Sequence, residues 1–318
     1  MERTTKKKLS RAQFLRAAGI VTTGLLINPR HLFAQQTSPV IKIKNAAGVD
    51  PVNVQALRGN VHVLSGSGGN IAVFNGPEGK LLVDAGITAS KSKIVKALDG
   101  ISNEPLKYLI NTHWHFDHAD GNEWLHKAGA TIIAHRQTRK NLASTIHVED
   151  WAYTFQPAPA GALPTVLFDA EHTLQFNGSS IHMRKFPPAH TNSDISVYFP
   201  HADVLHVADT WWNAYYPFID HSTGGSVDGT IAACDYNINN TTDKTIIIPG
   251  HGAVGNRSEL RQFRDMLVAI RHNVSKLKKQ GHSLTDAVAA KPTASFDEKF
   301  GKFVVNGDFF TKLVYADV

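Results

Sequence analysis

The segment Thr112-His113-Trp114-His115-Phe116-Asp117-His118 packs three imidazoles and a carboxylate into six consecutive positions, directly after the apolar run Tyr108-Leu109-Ile110. Imidazole nitrogen and carboxylate oxygen are common zinc ligands, at about 2.0–2.2 Å. His113 and His115 alternate, so in extended backbone both side chains leave on the same side. Asp117 and His118 then turn towards a second point nearby. Burying this set without an ion would leave several polar groups short of partners, so the cluster predicts a metal site. His201, His206 and His221 stand apart from any such cluster and are expected to be structural.

A ligand loop needs a frame to aim it. Val61–Leu64, Asn70–Phe74, Lys80–Asp84, Tyr108–Ile110 and Thr131–Ala134 read as strands, the second and third joined as a hairpin. Further strands are predicted at 173–176, 180–185, 195–199, 204–207 and 246–248. Helices are expected over 89–99, with Ile94, Val95 and Leu98 on one face, over 123–128 and over 226–239. In 257–279, Leu260, Phe263, Leu267, Ile270, Val274 and Leu277 recur at helical spacing. Residues 144–164 lack a period and read as a long loop, with short helices at 286–290 and 296–300. Two-strand runs broken by single helices suggest two β-sheets with helices outside, not a βαβ repeat. No internal repeat is evident.

With 318 residues, 42% hydrophobic and 19% charged, the chain has globular composition and length for a substantial core. Its formal charge of +6 is concentrated: residues 1–34 hold seven of the 33 basic residues and one of the 27 acidic ones. The remainder is balanced, which removes the electrostatic reason to bind a phosphate backbone. The lone Cys234 permits no intrachain disulfide and reads as a packed residue. A basic start, the apolar stretch Ile20–Ile27 and Leu32-Phe33-Ala34 have the layout of a secretory signal. The apolar stretch is too short for stable membrane insertion. Ser10-Arg11-Ala12-Gln13-Phe14-Leu15 resembles a twin-arginine signal with Ala12 replacing the second arginine. The expected organisation is a signal over 1–34, a linker over 35–54 and one domain over 55–318, in a periplasmic or secreted protein.

His-x-His-x-Asp-His after a strand resembles the signature of the metallo-β-lactamase superfamily, and four further motifs fit in order. Asp84-Ala85-Gly86, His190 in Pro188-Ala189-His190-Thr191, Asp209 in Ala208-Asp209-Thr210 and His251 in Pro249-Gly250-His251-Gly252 each end a predicted strand. The resemblance implies an α+β fold, a four-layer αβ/βα sandwich. It implies one metal on His113, His115 and His190, a second on Asp117, His118 and His251, and Asp209 bridging them. Asp84 would orient a ligand through a hydrogen bond. Two zinc ions are expected, with iron or manganese as the competing metals.

Two such ions acidify a shared water towards neutral pH, so no serine or cysteine nucleophile is needed, and no Gly-x-Ser-x-Gly elbow is present. Asp117 would orient the nucleophile. Many true β-lactamases of this fold carry Cys or Ser where Asp209 stands. A bridging Asp is more similar to glyoxalase II, lactonases and phosphoesterases. The expected activity is hydrolysis of a small ester, lactone or lactam. Trp211–Phe218, opposed by Trp151, Tyr153 and Phe155, form either a pocket wall or ordinary packing. The rival readings are a one-iron sulfur-compound dioxygenase on the same fold and a non-catalytic metal-binding protein. Oligomeric state is left open.

Overall fold

A computed structural model describes residues 38–318; the predicted signal over 1–34 lies outside the described residues. The described chain opens with α1 (Pro39–Val49), where the expected linker becomes a helix. The Ser38 hydroxyl accepts from Val40 N, and Pro39 occupies the first helical turn, where its missing N–H costs nothing. Lys44 ties α1 to the body through Asp120 at 2.8 Å.

Strands β1 (Asn53–Ala56), β2 (Val61–Ser65), β3 (Ile71–Gly76) and β4 (Gly79–Val83) form an antiparallel meander. Next come α2 (Lys91–Ile101), β5 (Leu106–Asn111), the short α3 (Phe116–Ala119) and α4 (Asn122–Lys127), β6 (Thr131–His135) and α5 (Arg136–Leu142). The expected loop over 144–164 instead contains a hairpin, β7 (Ile146–Val148) and β8 (Tyr153–Phe155), before β9 (Val166–Phe168). The first sheet runs β1-β2-β3-β4-β5-β6-β9, with β4, β5, β6 and β9 parallel.

The second sheet contains β10 (Glu171–Phe176), β11 (Ser179–Lys185), β12 (Ile195–Phe199) and β13 (Val204–Trp212). Helix α6 (Val227–Asn239) crosses to β14 (Ile246–His251), parallel to β13, and β15 (Gly255–Asn256) closes the edge. Helices α7 (Arg257–Lys279), α8 (Leu284–Ala289), α9 (Asp297–Phe300) and α10 (Gly307–Asp317) complete the chain. Among the described residues, no helix is long and apolar enough to cross a membrane.

The period of two along the strands builds the layers. Val61, Val63, Phe74, Leu81, Val83, Ile110 and Ile133 meet Ile181, Met183, Val197, Phe199 and Ile248 in one cluster between the sheets. The alternate residues Val73, Leu82, Leu109 and Ile132 pack on Ile94 and Leu98 of α2 and on Trp124 and Leu125 of α4. Leu205, Val207 and Ile247 pack against Val227 and Ile238 of α6 and Phe263, Leu267 and Ile270 of α7. The result is the four-layer αβ/βα sandwich. Val95, expected on the buried face of α2, is 36% exposed. In α7, Asn256 and Glu259 form a reciprocal cap, and Leu260, Phe263, Leu267, Ile270 and Val274 are buried as their spacing predicts.

Candidate metal centre

All seven expected ligands converge at one end of the sandwich. His113 and His115 lie on the loop leaving β5, and His115 caps α3, whose single turn carries Asp117 and His118. His190 sits in the connection from β11 to β12. Asp194 braces that connection, its carboxylate accepting from Thr191 N at 2.8 Å and Thr191 Oγ1 at 2.7 Å. Asp209 lies within β13 at an interruption of its pairing with β14, and His251 ends β14. Parallel strands deliver their C-terminal ends to the same edge, which is why residues so distant in sequence meet there.

The side chains sort into two groups, His113 with His115, His190 and Asp209, and Asp117 with His118 and His251, donor atoms in each lying within 4.8 Å of one another. Asp209 touches both groups. Its Oδ2 is 3.2 Å from His190 Nε2 and 3.4 Å from His251 Nε2, and its Oδ1 is 3.0 Å from His118 Nε2. All seven side chains are buried.

Four of the five imidazoles, those of His113, His115, His118 and His190, are held by their other nitrogen, which fixes the nitrogen presented to the centre. Asp84 Oδ2 accepts from His118 Nδ1 at 2.7 Å, and the Phe218 carbonyl accepts from His190 Nδ1 at 2.6 Å. Thr112 Oγ1 is 3.0 Å from His113 Nδ1. His115 is turned the other way: its Nε2 lies 3.1 Å from Asp220 Oδ2, so Nδ1 faces the centre. Asp84 also accepts from Thr112 N at 2.8 Å and Thr112 Oγ1 at 2.7 Å, locking the start of the ligand loop. This carboxylate is hydrogen-bonded to His118, one of the seven expected ligands. Asp220 carries no such motif, and nothing local to it in the sequence announces its role.

The backbone is strained where the carboxylates are aimed. Asp84 has φ 68° and Ala208, just before Asp209, has φ 46°. Non-glycine residues in this left-handed region cost about 1–3 kcal/mol each and persist where the surroundings fix them. Two glycines leave room for the ligands. A Cβ on Gly69 would overlap the His118 ring, and one on Gly250 would overlap Asp209 Oδ1.

The buried donor set fits a cation. His113 Nε2 is buried without a hydrogen-bond partner, and His118 Nε2 and Asp209 Oδ1, though 3.0 Å apart, are not aligned to bond to each other. Burial, reinforced by neighbouring His118, holds the His113 pKa well below the ordinary imidazole range, so its nitrogen lone pair is free. Burial also lowers His190. At His118 burial acts against protonation, but Asp209, Asp117 and Asp84 outweigh it and hold the pKa well above the usual value. His251 is similarly raised to about 9 against burial, mainly by Asp209 and Asp117. Burial opposes ionisation of Asp209 as well, yet His118, His251 and His190 hold it well below the carboxylate range. Carboxylates so placed recruit positive charge, as protons or as metal.

Aromatic rings enclose the centre. Trp212 lies 4.4 Å from the His251 ring, Trp151 lies 5.2 Å from His115, and Trp151 stacks on Phe218 at 4.5 Å. The aromatic run after Asp209 therefore divides. Trp212 and Phe218 face the centre, whereas Trp211 and Tyr216 are fully buried in the core behind it. Pro39 and Ile43 of α1, with Phe303 and Phe309, roof a cleft of about 60 Å³. Phe116 separates it from a neighbouring cavity of about 550 Å³ lined by Trp114, Tyr153 and Phe155. The histidines expected to be structural contact the scaffold instead: His201 Nε2 meets Gly59 O at 2.9 Å, His206 Nε2 meets Asn70 O at 3.2 Å, and His221 Nε2 lies 3.3 Å from Asp317 Oδ1 without forming a hydrogen bond. Cys234 is buried on α6, where burial pushes its thiol pKa up.

Residues 64–254 match the family model described as the metallo-beta-lactamase superfamily. Among solved structures, the chain resembles the stereoselective inverting sec-alkylsulfatase Pisa1 from Pseudomonas sp., with 16% identity and a TM-score of 0.64 over 83% of this chain and 50% of that one. This chain thus spans half the length of that alkylsulfatase. It also resembles DIM-1 metallo-beta-lactamase, with 19% identity and a TM-score of 0.55 over 69% of this chain and 97% of that one. For a metallo-beta-lactamase from Pontibacter korlensis the values are 18% and 0.55 over 68% and 99%.

Proposed function

We propose that this chain, which belongs to the metallo-beta-lactamase superfamily, is a metal-dependent hydrolase that holds two zinc ions and cleaves a small ester, lactone or lactam. The observation that carries the proposal is the pair of adjoining buried groups, both complete, with Asp209 between them. In this reading His113, His115 and His190 hold one ion, Asp117, His118 and His251 hold the other, and Asp209 reaches both. Five imidazoles and two carboxylates suit zinc, while iron or manganese compete for the same donors.

When bound, such ions polarise a substrate oxygen and bring the pKa of water towards 7. The chain's own residues supply orientation. Asp117 lines the cleft as well as joining the second group, so its carboxylate accepts a hydrogen bond from an attacking water and aims it. Asp84 and Asp220 fix the tautomers of His118 and His115. Trp151, Trp212 and the roof exclude bulk water, which strengthens every electrostatic contact inside.

The substrate class is a small molecule, because the centre lies in a narrow cleft and the chain outside 1–34 has no charge excess for nucleic acid. A basic start followed by a short apolar stretch supports export to the periplasm or beyond. A panel of esters, lactones and β-lactams tests the activity. Turnover that disappears with a chelator and returns with zinc is expected. No metal-dependent turnover of any member would sink the hydrolase reading and favour the non-catalytic one. A dioxygenase would consume oxygen with one iron per chain, and it would leave one of the two intact groups idle.

A further inference from the structure

Resting on the hydrolase reading, we propose that the centre selects uncharged, apolar esters or lactones and rejects substrates that carry an anion away from the scissile bond. The inference comes from the walls of the cleft. Apart from the metal-binding histidines and aspartates, every side chain lining it is apolar, and among the described residues neither Lys nor Arg contributes to the lining. Phe303 forms the outer wall. Its ring lies 4.7 Å from Tyr215, 5.9 Å from Trp212 and 6.0 Å from the ligand His251. Phe303 and Val304 are 43% and 41% exposed, so apolar surface continues from the cleft to its mouth.

The cations nearest in the chain are not available to a substrate in this cleft. Lys44 lies beyond Phe116, over the outer face of that ring, and Asp120 holds it at 2.8 Å. Lys302 adjoins Phe303 in sequence but does not line the cleft. Nor does the centre offer a surplus of positive charge. The carboxylates of Asp84, Asp117, Asp209 and Asp220 together match the charge of two divalent ions.

A carboxylate or sulfate drawn into this cleft gives up hydration and finds no charged donor in return. A neutral alkyl or aryl group buries surface against Trp212, Phe303 and Ile43 instead. Hydrolysis adds one water across the acyl C–O bond and yields a carboxylic acid and an alcohol, with no other reactant. The acid ionises, and cleft walls without Lys or Arg add no hold on that product beyond the metal group itself.

The test uses the full chain loaded with zinc and two matched pairs differing only at the remote end. One pair is octanohydroxamate and its analogue with a terminal carboxylate, with binding read from quenching of Trp151 and Trp212 fluorescence. The other is p-nitrophenyl hexanoate and the monoester of p-nitrophenol with adipic acid. A charged hydrogen bond is worth about 1.5–3 kcal/mol, so lacking one should favour the neutral member by about tenfold to a hundredfold. Phe303→Lys should narrow that ratio in both pairs, and Phe303→Leu should keep it. Equal or tighter binding of the carboxylated hydroxamate to the unaltered protein overturns the proposal. If neither ester is cleaved while the hydroxamate preference persists, selectivity stands and the hydrolase reading falls.

Discussion

Replacing Asp84 with Asn tests how the ligands are aimed. The change keeps size and suits the left-handed backbone at this position, since Asn tolerates it well. It alters what the side chain can accept. In the protein, Asp84 receives three hydrogen bonds, from Thr112 N at 2.8 Å, Thr112 Oγ1 at 2.7 Å and His118 Nδ1 at 2.7 Å. An Asn oxygen can satisfy Thr112 N, but its NH₂ then faces His118 Nδ1. His118 must either lose that bond or switch tautomer and place a proton on the Nε2 that faces the metal group. Loss of such an orienting partner lowers metal affinity by about 10–100-fold, or about 1.4–2.7 kcal/mol. Competition with a chromophoric chelator should show the larger weakening in the group of Asp117, His118 and His251, and a smaller one in the other group through Thr112 and His113. Asp220→Asn should do the same to His113, His115 and His190, because Asp220 holds His115 Nε2. If Asp84→Asn left both affinities unchanged, the assignment of ligand orientation to this carboxylate would be wrong.

The metal-free protein should lose thermal stability as pH rises from about 6.5 towards 9. His251 has a folded pKa raised to about 9, and His118 is also raised. Their contribution is fully present below the unfolded imidazole pKa of about 6.5 and disappears as pH climbs through the folded value; a melting temperature flat or rising across this window contradicts the assignment. Zinc binding near pH 7.5 should release protons from the same two imidazoles, seen in calorimetry as a heat that depends on the buffer's ionisation enthalpy. Gly250→Ala should abolish metal retention while the fold survives by circular dichroism, because the new Cβ meets Asp209 Oδ1 and lies 2.7 Å from the Ala208 backbone. Normal metal content in that variant would show that the close approach is unimportant.

The sandwich was legible because its strands obey a strict alternation. Leu81 and Val83 point between the sheets and Leu82 points to α2, so each strand's pattern already encodes two interfaces. The motifs of Asp84, His113 and His251 were legible because they fall at the ends of β4, β5 and β14, whereas His190 lies in the connection beyond β11 and Asp209 inside β13. Helix α1 was not, since Val40-Ile41-Lys42-Ile43-Lys44 alternates as a strand would; it is helical because Ser38 and Pro39 start a helix that packs over the cleft. Helix α10 carries readable spacing in Phe310, Leu313 and Val314 behind the cap Asn306, but Gly307 at its start obscures it. The hairpin of β7 and β8 is three residues a side, too short for a period to show. Asp220 could not be read at all, because its partner His115 lies 105 positions away.

The central claim is that the two groups around Asp209 hold two ions at once. Elemental analysis of the protein, purified without added metal and then titrated with zinc, tests it directly. Two tightly held zinc per chain are expected, with Asp209→Ala weakening both sites together because its carboxylate touches each group. Saturation at a single ion, or a tightly held single iron that zinc does not displace, would contradict the account.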